Sequence, residues 1–74
     1  MTLKEVLKNY DNKDFKCIEY RTKAPVGCKE DSILIGMAAY KNKMLMSLDG
    51  DSYHLNDEVE RYELFQDDRL VVCQ

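Results

Sequence analysis

Four side chains in this sequence are of the types that bind zinc or act as nucleophile and base. They are three cysteines, Cys17, Cys28 and Cys73, and the single histidine, His54. Zinc sites usually contain paired ligands two to four residues apart. The four candidates here are separated by 11, 26 and 19 positions. The spacing gives no support for a metal site, and we expect neither a metal nor another cofactor.

Thiol catalysis is the second chemistry that these residue types permit. Cys28 lies between Gly27 and Lys29, and a neighbouring ammonium group favours the reactive thiolate. His54 would serve as the base if the fold brought it within hydrogen-bond reach of the thiol. A chain of 74 residues leaves little room for a substrate pocket of about 300 Å³ and its supporting residues. We therefore expect no catalytic residues, and a minimal thiol or metal-dependent enzyme is kept as an alternative hypothesis.

The densest charge lies between positions 49 and 68, where eight acidic residues accompany only Arg61, a net charge of -7. These carboxylates would repel duplex DNA or RNA, because nucleic-acid affinity depends largely on lysine and arginine contacts to phosphate. They would attract a basic protein partner. We interpret them as a candidate partner-binding acidic face, which consists of Asp49, Asp51, Asp57, Glu58, Glu60, Glu63, Asp67 and Asp68.

The beginning of this acidic run partly matches a calcium-binding EF-hand loop. With Asp49 at the first position, oxygen ligands also fall at the third, ninth and twelfth positions. The sixth position, which requires glycine for a sharp turn, is His54. The flanking segments also predict strands rather than helices. We therefore interpret the segment 47–58 as a turn with an exposed acidic rim.

The remaining patterns predict an α+β fold that begins with a short helix. Thr2 and Glu5 form a capping-box pattern, and Leu3, Val6 and Leu7 follow at helical spacing. Residues 14–22 alternate in polarity, and that pattern predicts a strand with Phe15 and Cys17 on the same face. A ten-residue loop follows this strand, and we expect it to be an interaction loop, because long loops in small domains often carry function. The candidate interaction loop consists of Val26, Gly27, Cys28 and Lys29.

The segment 32–40 is almost entirely apolar, so we expect a central strand with both faces covered. Gly36 within it indicates a bulge or a close approach of another group. Turns at 41–43 and at 66–68 predict two hairpins, 32–48 and 60–73. The expected architecture is one domain, 1–74, with the helix packed on a strongly bent antiparallel sheet of about five strands, and partial closure into a small barrel as an alternative.

One short helix cannot cover both faces of such a sheet. The continuous apolar strand and the methionines at 37, 44 and 46 therefore indicate an interface on the face left open. The odd number of cysteines and the charged, weakly apolar segment 1–13 favour a reducing, cytoplasmic location without a signal peptide. No apolar segment approaches the roughly 20 residues needed to span a bilayer, so we expect no membrane contact.

Two segments, TLKEVLKNY at 2–10 and DEVERYELFQDDRLVV at 57–72, resemble short, mostly uncharacterised accessory proteins of Gram-positive phages and integrative mobile elements. The resemblance does not include the loop KAPVGCKED. It implies a small cytosolic protein that modulates another protein, and it supplies no site residues.

These observations lead to one main hypothesis and two alternatives. The main hypothesis is a non-enzymatic protein-interaction module that binds itself, as a homodimer, or a protein partner through its sheet, without direct nucleic-acid contact. The first alternative is an acidic inhibitor that occupies the basic groove of a nucleic-acid-binding protein. The second alternative is the minimal enzyme that would use Cys28 and His54.

Overall fold

A computed structural model describes residues 1–23 and 32–74 of the chain. The candidate interaction loop, Val26 to Lys29, lies outside the described residues. The α+β class is confirmed, with one short helix and a five-stranded sheet in the described part of the chain. The elements are α1 (Leu3–Lys8), β1 (Phe15–Lys23), β2 (Ser32–Lys41), β3 (Met44–Ser47), β4 (Arg61–Leu64) and β5 (Leu70–Cys73).

The strands lie in the order β3-β2-β1-β5-β4, and the sheet is mixed rather than entirely antiparallel. Three neighbouring pairs are antiparallel, whereas β1 and β5 are parallel. The parallel pair arises because the chain passes over the sheet after β3 and inserts the second hairpin beside β1 with β5 innermost. Within the described residues the sheet is open, with β3 and β4 at its edges, so the alternative of a partly closed barrel does not apply to them.

The first helix begins with the capping box that the sequence predicted. The amide of Glu5 donates to the Thr2 hydroxyl at 3.3 Å, and the amide of Thr2 donates to the Glu5 carboxylate at 3.0 Å. Leu3, Val6 and Leu7 are fully buried against the sheet. The helix therefore covers one face of the sheet, as expected.

Strand β1 does not alternate in the way that the sequence predicted. Its pairing with β2 is irregular between Phe15 and Ile18, and a bulge of this kind shifts the side chains that follow to the opposite face. Phe15, Ile18 and Tyr20 are all buried in one core, whereas Cys17 is only half-buried. The prediction that Phe15 and Cys17 share a face is therefore wrong.

The two faces of the sheet differ in what covers them. The core face packs against α1 and against the loop between β3 and β4, and its strand residues are Phe15, Ile18, Tyr20, Gly36, Ala38, Tyr40, Leu70 and Val72. We call the opposite side of the sheet the outer face. The described residues place neither α1 nor that loop on the outer face. Among residues 1–23 and 32–74, only one side of strand β2 is covered, whereas the sequence predicted that both of its faces are covered.

The described residues contain no helix with the length and apolar character needed to cross a membrane.

Candidate functional site

The segment 47–58 has the exposed acidic rim that the sequence predicted, since Asp49, Asp51 and Glu58 are exposed. Its side chains Tyr53 and Leu55 nevertheless pack against the core face. The ring of Tyr53 stacks on Tyr20 with a centroid distance of 4.3 Å and an interplanar angle of 19°. This stack lies directly over Gly36. A Cβ atom at position 36 would come within 1.7 Å of the Tyr53 hydroxyl. The close approach predicted at Gly36 is confirmed, and β2 is also bulged beside it at Ile35.

Asp49 holds this segment in place through four hydrogen bonds. Its Oδ2 accepts from the Tyr53 hydroxyl at 2.5 Å and from the Met37 amide at 3.0 Å. Its Oδ1 accepts from the Asp51 amide at 3.0 Å and from the Ser47 hydroxyl at 3.2 Å. The bonds from Tyr53 and from the Asp51 amide lower the pKa of Asp49 to about 2. Burial and the bond to Asp49 raise the pKa of Tyr53 to about 12.

The lowered pKa of Asp49 predicts an acid-sensitive loop. A carboxyl group whose pKa is lower in the folded state than in the unfolded chain stabilises the fold above the unfolded pKa. That contribution is lost as the pH falls from the ordinary value of 3.8 through about 2. We expect the wild-type free energy of unfolding to decline over this range, and we expect a smaller decline in Asp49→Asn.

Denaturant titrations at half-unit pH steps between 5 and 2 measure this difference. Asp51→Asn is the matched control, because Asp51 is an exposed neighbour. In this variant the free energy of unfolding should decline with falling pH as steeply as in the wild type. Equal acid slopes for Asp49→Asn and the wild type would contradict the proposed role of Asp49.

The other members of the acidic face lie in separate parts of the fold. Asp57 accepts from the His54 amide at 3.0 Å, Glu58 lies 3.5 Å from the N-terminal ammonium, and Asp68 pairs with Lys13 at 2.7 Å. Glu63 lies on β4 and faces the outer side of the sheet. The remaining three, Asp51, Glu60 and Asp67, are exposed. Four of the eight carboxylates therefore have partners within the chain.

The described thiols and the histidine do not form a catalytic or metal-binding group. Within residues 1–23 and 32–74, no three histidine, cysteine or acidic side chains gather in a metal-binding cluster. Cys73 is buried, and burial raises the pKa of the half-buried Cys17, which disfavours its thiolate. His54 is exposed. Cys28 lies outside the described residues.

The strand register places two rows of side chains across the outer face. In the first, which we call the glutamate row, Glu19 on β1 and Glu63 on β4 flank Val71 on β5. This row continues through Met37 on β2 to Leu48, whose amide donates to the Met37 carbonyl at 3.0 Å.

The second row, which we call the arginine row, lies two residues further along β1 and β5. Here Arg21 on β1 and Arg61 on β4 flank Cys73 on β5, and Leu34 pairs with Arg21 on the other side. Each row therefore has an apolar half over β2 and a charged half over β1, β5 and β4, and the two charged halves have opposite signs.

An ion pair at the centre of the outer face fixes the buried carboxylate there. Glu19 is 8% exposed, and its Oε2 lies 3.0 Å from Arg69 Nε, close enough for a charge contact although the N–H is not aligned as a hydrogen-bond donor. Arg69 also lies over the ring of Phe65, 4.8 Å from its centroid. These groups, with Arg21 and Arg61, border an open groove of about 530 Å³.

The β2–β3 side of the outer face presents apolar side chains to solvent. Leu34 and Ile35 on β2 are 45% and 42% exposed, and Met46 and Leu48 are 46% and 52% exposed. Exposed apolar residues that lie singly are common on protein surfaces, but a contiguous group bordered by charged residues is typical of an interaction site.

Comparisons of this chain with protein-family models, with curated proteins and with solved structures found no match.

The sequence patterns predicted an open sheet face but not its charged half. The information is present in the sequence as alternation: Glu19 and Arg21 are two positions apart, as are Arg61 and Glu63, so each pair shares a face of its strand. The pairs become neighbours only because β5 lies between β1 and β4. That arrangement depends on the parallel pairing, which the sequence patterns did not indicate.

Proposed function

We propose that this chain is a non-enzymatic protein-interaction module that binds through the outer face of its sheet. The observation that carries the proposal is the group of exposed apolar side chains on β2 and beside β3, next to an ordered set of charges. Burial of apolar surface contributes about 25 cal/mol per Å², so a partner that covers these residues gains affinity. The bordering charges would then set the orientation of that partner and its rate of association.

The size of the chain supports the same proposal. A single small core provides only a few kcal/mol of net stability, and small domains often gain further burial by association. One helix of six residues covers the core face, and the described residues leave the outer face uncovered. Association through the outer face would cover the side of the sheet that α1 and the loop between β3 and β4 leave open.

The proposed location is the cytoplasm. The two described cysteines, Cys17 and Cys73, are free thiols, and free thiols are typical of reducing compartments. The origin in a phage or mobile element stays a hypothesis that rests on the two segments quoted above.

The acidic-inhibitor hypothesis receives less support than the hypothesis of binding through the outer face. A groove-binding inhibitor needs several unpaired carboxylates on one surface, whereas Asp49, Asp57, Glu58 and Asp68 have partners within the chain. Salt separates the two hypotheses, because exposed charge contacts are screened at high ionic strength. A partner bound by the acidic residues would be released at high salt, and a partner bound by the apolar residues would be retained.

Lysine substitutions on the outer face test the proposal. We expect Leu34→Lys and Met46→Lys to weaken binding of the partner, or self-association, by tenfold or more, equivalent to about 1.4 kcal/mol, because each buries a charge in the interface. Both wild-type side chains are substantially exposed, so the variants should fold. The measurements are affinity capture from a lysate of the source cells and sedimentation velocity of the purified chain.

Ser52→Lys is the matched control, because Ser52 is exposed and lies in the loop on the opposite side of the sheet. It adds the same charge without touching the outer face. The proposal would be contradicted if all three variants behaved like the wild type in both measurements, or if the wild type bound neither itself nor any partner.

A further inference from the structure

We propose that the partner on the outer face is a second copy of this chain, related to the first by a twofold axis that runs across the strands between the glutamate row and the arginine row. This inference rests on the proposed function and specifies its partner. In this arrangement each copy places its arginine row over the glutamate row of the other copy.

The two rows restrict how two outer faces can be superposed. In aligned packing of two sheets, the strands of the two layers run nearly parallel or antiparallel and the layers are about 10 Å apart. A homodimer with closed symmetry has a twofold axis. That axis then runs either along the strands or across them.

An axis along the strands would give an unfavourable interface. It keeps each row over the same row and exchanges the two edges of the sheet. The apolar half at Leu34 and Leu48 would then cover the charged half of the partner. Desolvation of these charges by apolar groups would not be compensated by new partners.

An axis across the strands gives a complementary interface. It keeps each strand over its own copy and exchanges the two rows. Arg61 then lies over Glu63 of the other copy. Arg21 lies over Glu19, which is 8% exposed and already paired with Arg69 of its own chain, so the charge contact between copies rests on Arg61 and Glu63. In the apolar half, Leu34 on β2 lies over Met37 on β2 of the other copy, with Leu48 beside it. Opposite charges and apolar surfaces are therefore matched by the same operation, and complementarity of this kind favours one orientation over others.

The positions of Arg61 and Glu63 make this arrangement testable. Both residues are exposed on the edge strand β4, and the described residues form no salt bridge with either of them. Reversal of one charge in every copy, as in Arg61→Glu or Glu63→Arg, places like charges opposite each other at two symmetric positions. We expect each variant alone to self-associate at least tenfold more weakly than the wild type.

A mixture of the two variants should restore association. The Arg61→Glu chain presents two glutamates on β4, and the Glu63→Arg chain presents two arginines, so the heterodimer has opposite charges at both positions. The chain with both substitutions should also self-associate, because its charges are exchanged and still complementary. Sedimentation velocity of each chain and of the equimolar mixture, at low and high salt, measures these outcomes, and circular dichroism verifies that each variant is folded.

Three results would overturn the inference in distinguishable ways. A wild-type chain that stays monomeric at all concentrations, while it captures a partner that Leu34→Lys loses, would refute the second copy and leave the proposed function standing. Self-association that both single variants retain, or that their mixture does not restore, would refute this twofold arrangement. The absence of self-association together with the absence of any partner sensitive to Leu34→Lys would refute both.

Discussion

Replacement of Gly36 by alanine is expected to destabilise the fold by about 2–4 kcal/mol, because overpacking is costly and the stack above it would be lost. A chain of 74 residues has a total stability of about 4–11 kcal/mol at the usual value per residue. The substitution would therefore remove a large part of the stability. Urea denaturation followed by circular dichroism measures the loss.

The physical reason lies in the contacts above Gly36. The new Cβ would come within 1.7 Å of the Tyr53 hydroxyl and within 2.7 Å of Asp49 Oδ2. Tyr53 would have to leave its stack on Tyr20, and the Tyr53–Asp49 hydrogen bond would be lost with it. A stacked aromatic pair contributes about 0.5–1.5 kcal/mol beyond its burial.

A double-mutant cycle with Tyr53→Ala provides the control. Once the tyrosine ring is absent, the main obstacle to a Cβ at position 36 is gone. In that background the new Cβ still meets Asp49 Oδ2 at 2.7 Å, but this carboxylate no longer has its bond to Tyr53 and can shift. We therefore expect Gly36→Ala to cost less than about 1 kcal/mol there, because alanine also loses less backbone entropy than glycine. Equal costs of Gly36→Ala in the two backgrounds would contradict the packing of Tyr53 over Gly36.

Truncation of Phe15 to alanine is expected to cost about 3–5 kcal/mol, the range typical of buried phenylalanines. Phe15 is 1% exposed and lies edge-on to Tyr10 with a centroid distance of 6.0 Å. Its burial depends on the bulge in β1, which lets Phe15, Ile18 and Tyr20 enter one core. Thermal and urea unfolding of the variant measure the loss.

Cys17→Ala is the matched control for the bulge. In a regular strand Phe15 and Cys17 would share a face, and both truncations would affect the core. With the bulge, Cys17 lies on the half-exposed outer side, and we expect its truncation to cost less than about 1 kcal/mol. Phe15→Leu should retain most of the packing. A cost for Cys17→Ala as large as that for Phe15→Ala would contradict the bulged pairing.

Local sequence patterns determined those features whose causes lie within a few residues. The capping box of Thr2 and Glu5 and the apolar stripe that follows it determined the first helix. Turn-forming residues determined the first hairpin, in which Asn42 and Lys43 have φ angles of 53° and 62°, as a two-residue turn of the primed type requires. The absence of a side chain at Gly36 indicated a close approach to its backbone.

Other features depended on contacts between distant parts of the chain, and only the tertiary structure decided them. Alternation in β1 predicted that Phe15 and Cys17 share a face. This was wrong because of a bulge, and a bulge forms only where two strands pair. Asp49 is exposed, as the acidic rim predicted, but the sequence did not indicate that it accepts hydrogen bonds from Tyr53 and from the Met37 amide, 12 residues away. In the sequence, the residues that form such bonds show no spacing or pattern that connects them.

The composition of the sequence determined that this chain has more apolar strand surface than one short helix can cover. The sequence also contained the alternating charges of Glu19 and Arg21 and of Arg61 and Glu63. The parallel pairing of β1 with β5 decided that these charges lie in two adjacent rows of opposite sign on one face. The pairing of β1 with β5 joins residues 52 positions apart, such as Ile18 and Leu70, so no local pattern specifies it. The resulting charge complementarity is a property of the assembled sheet alone.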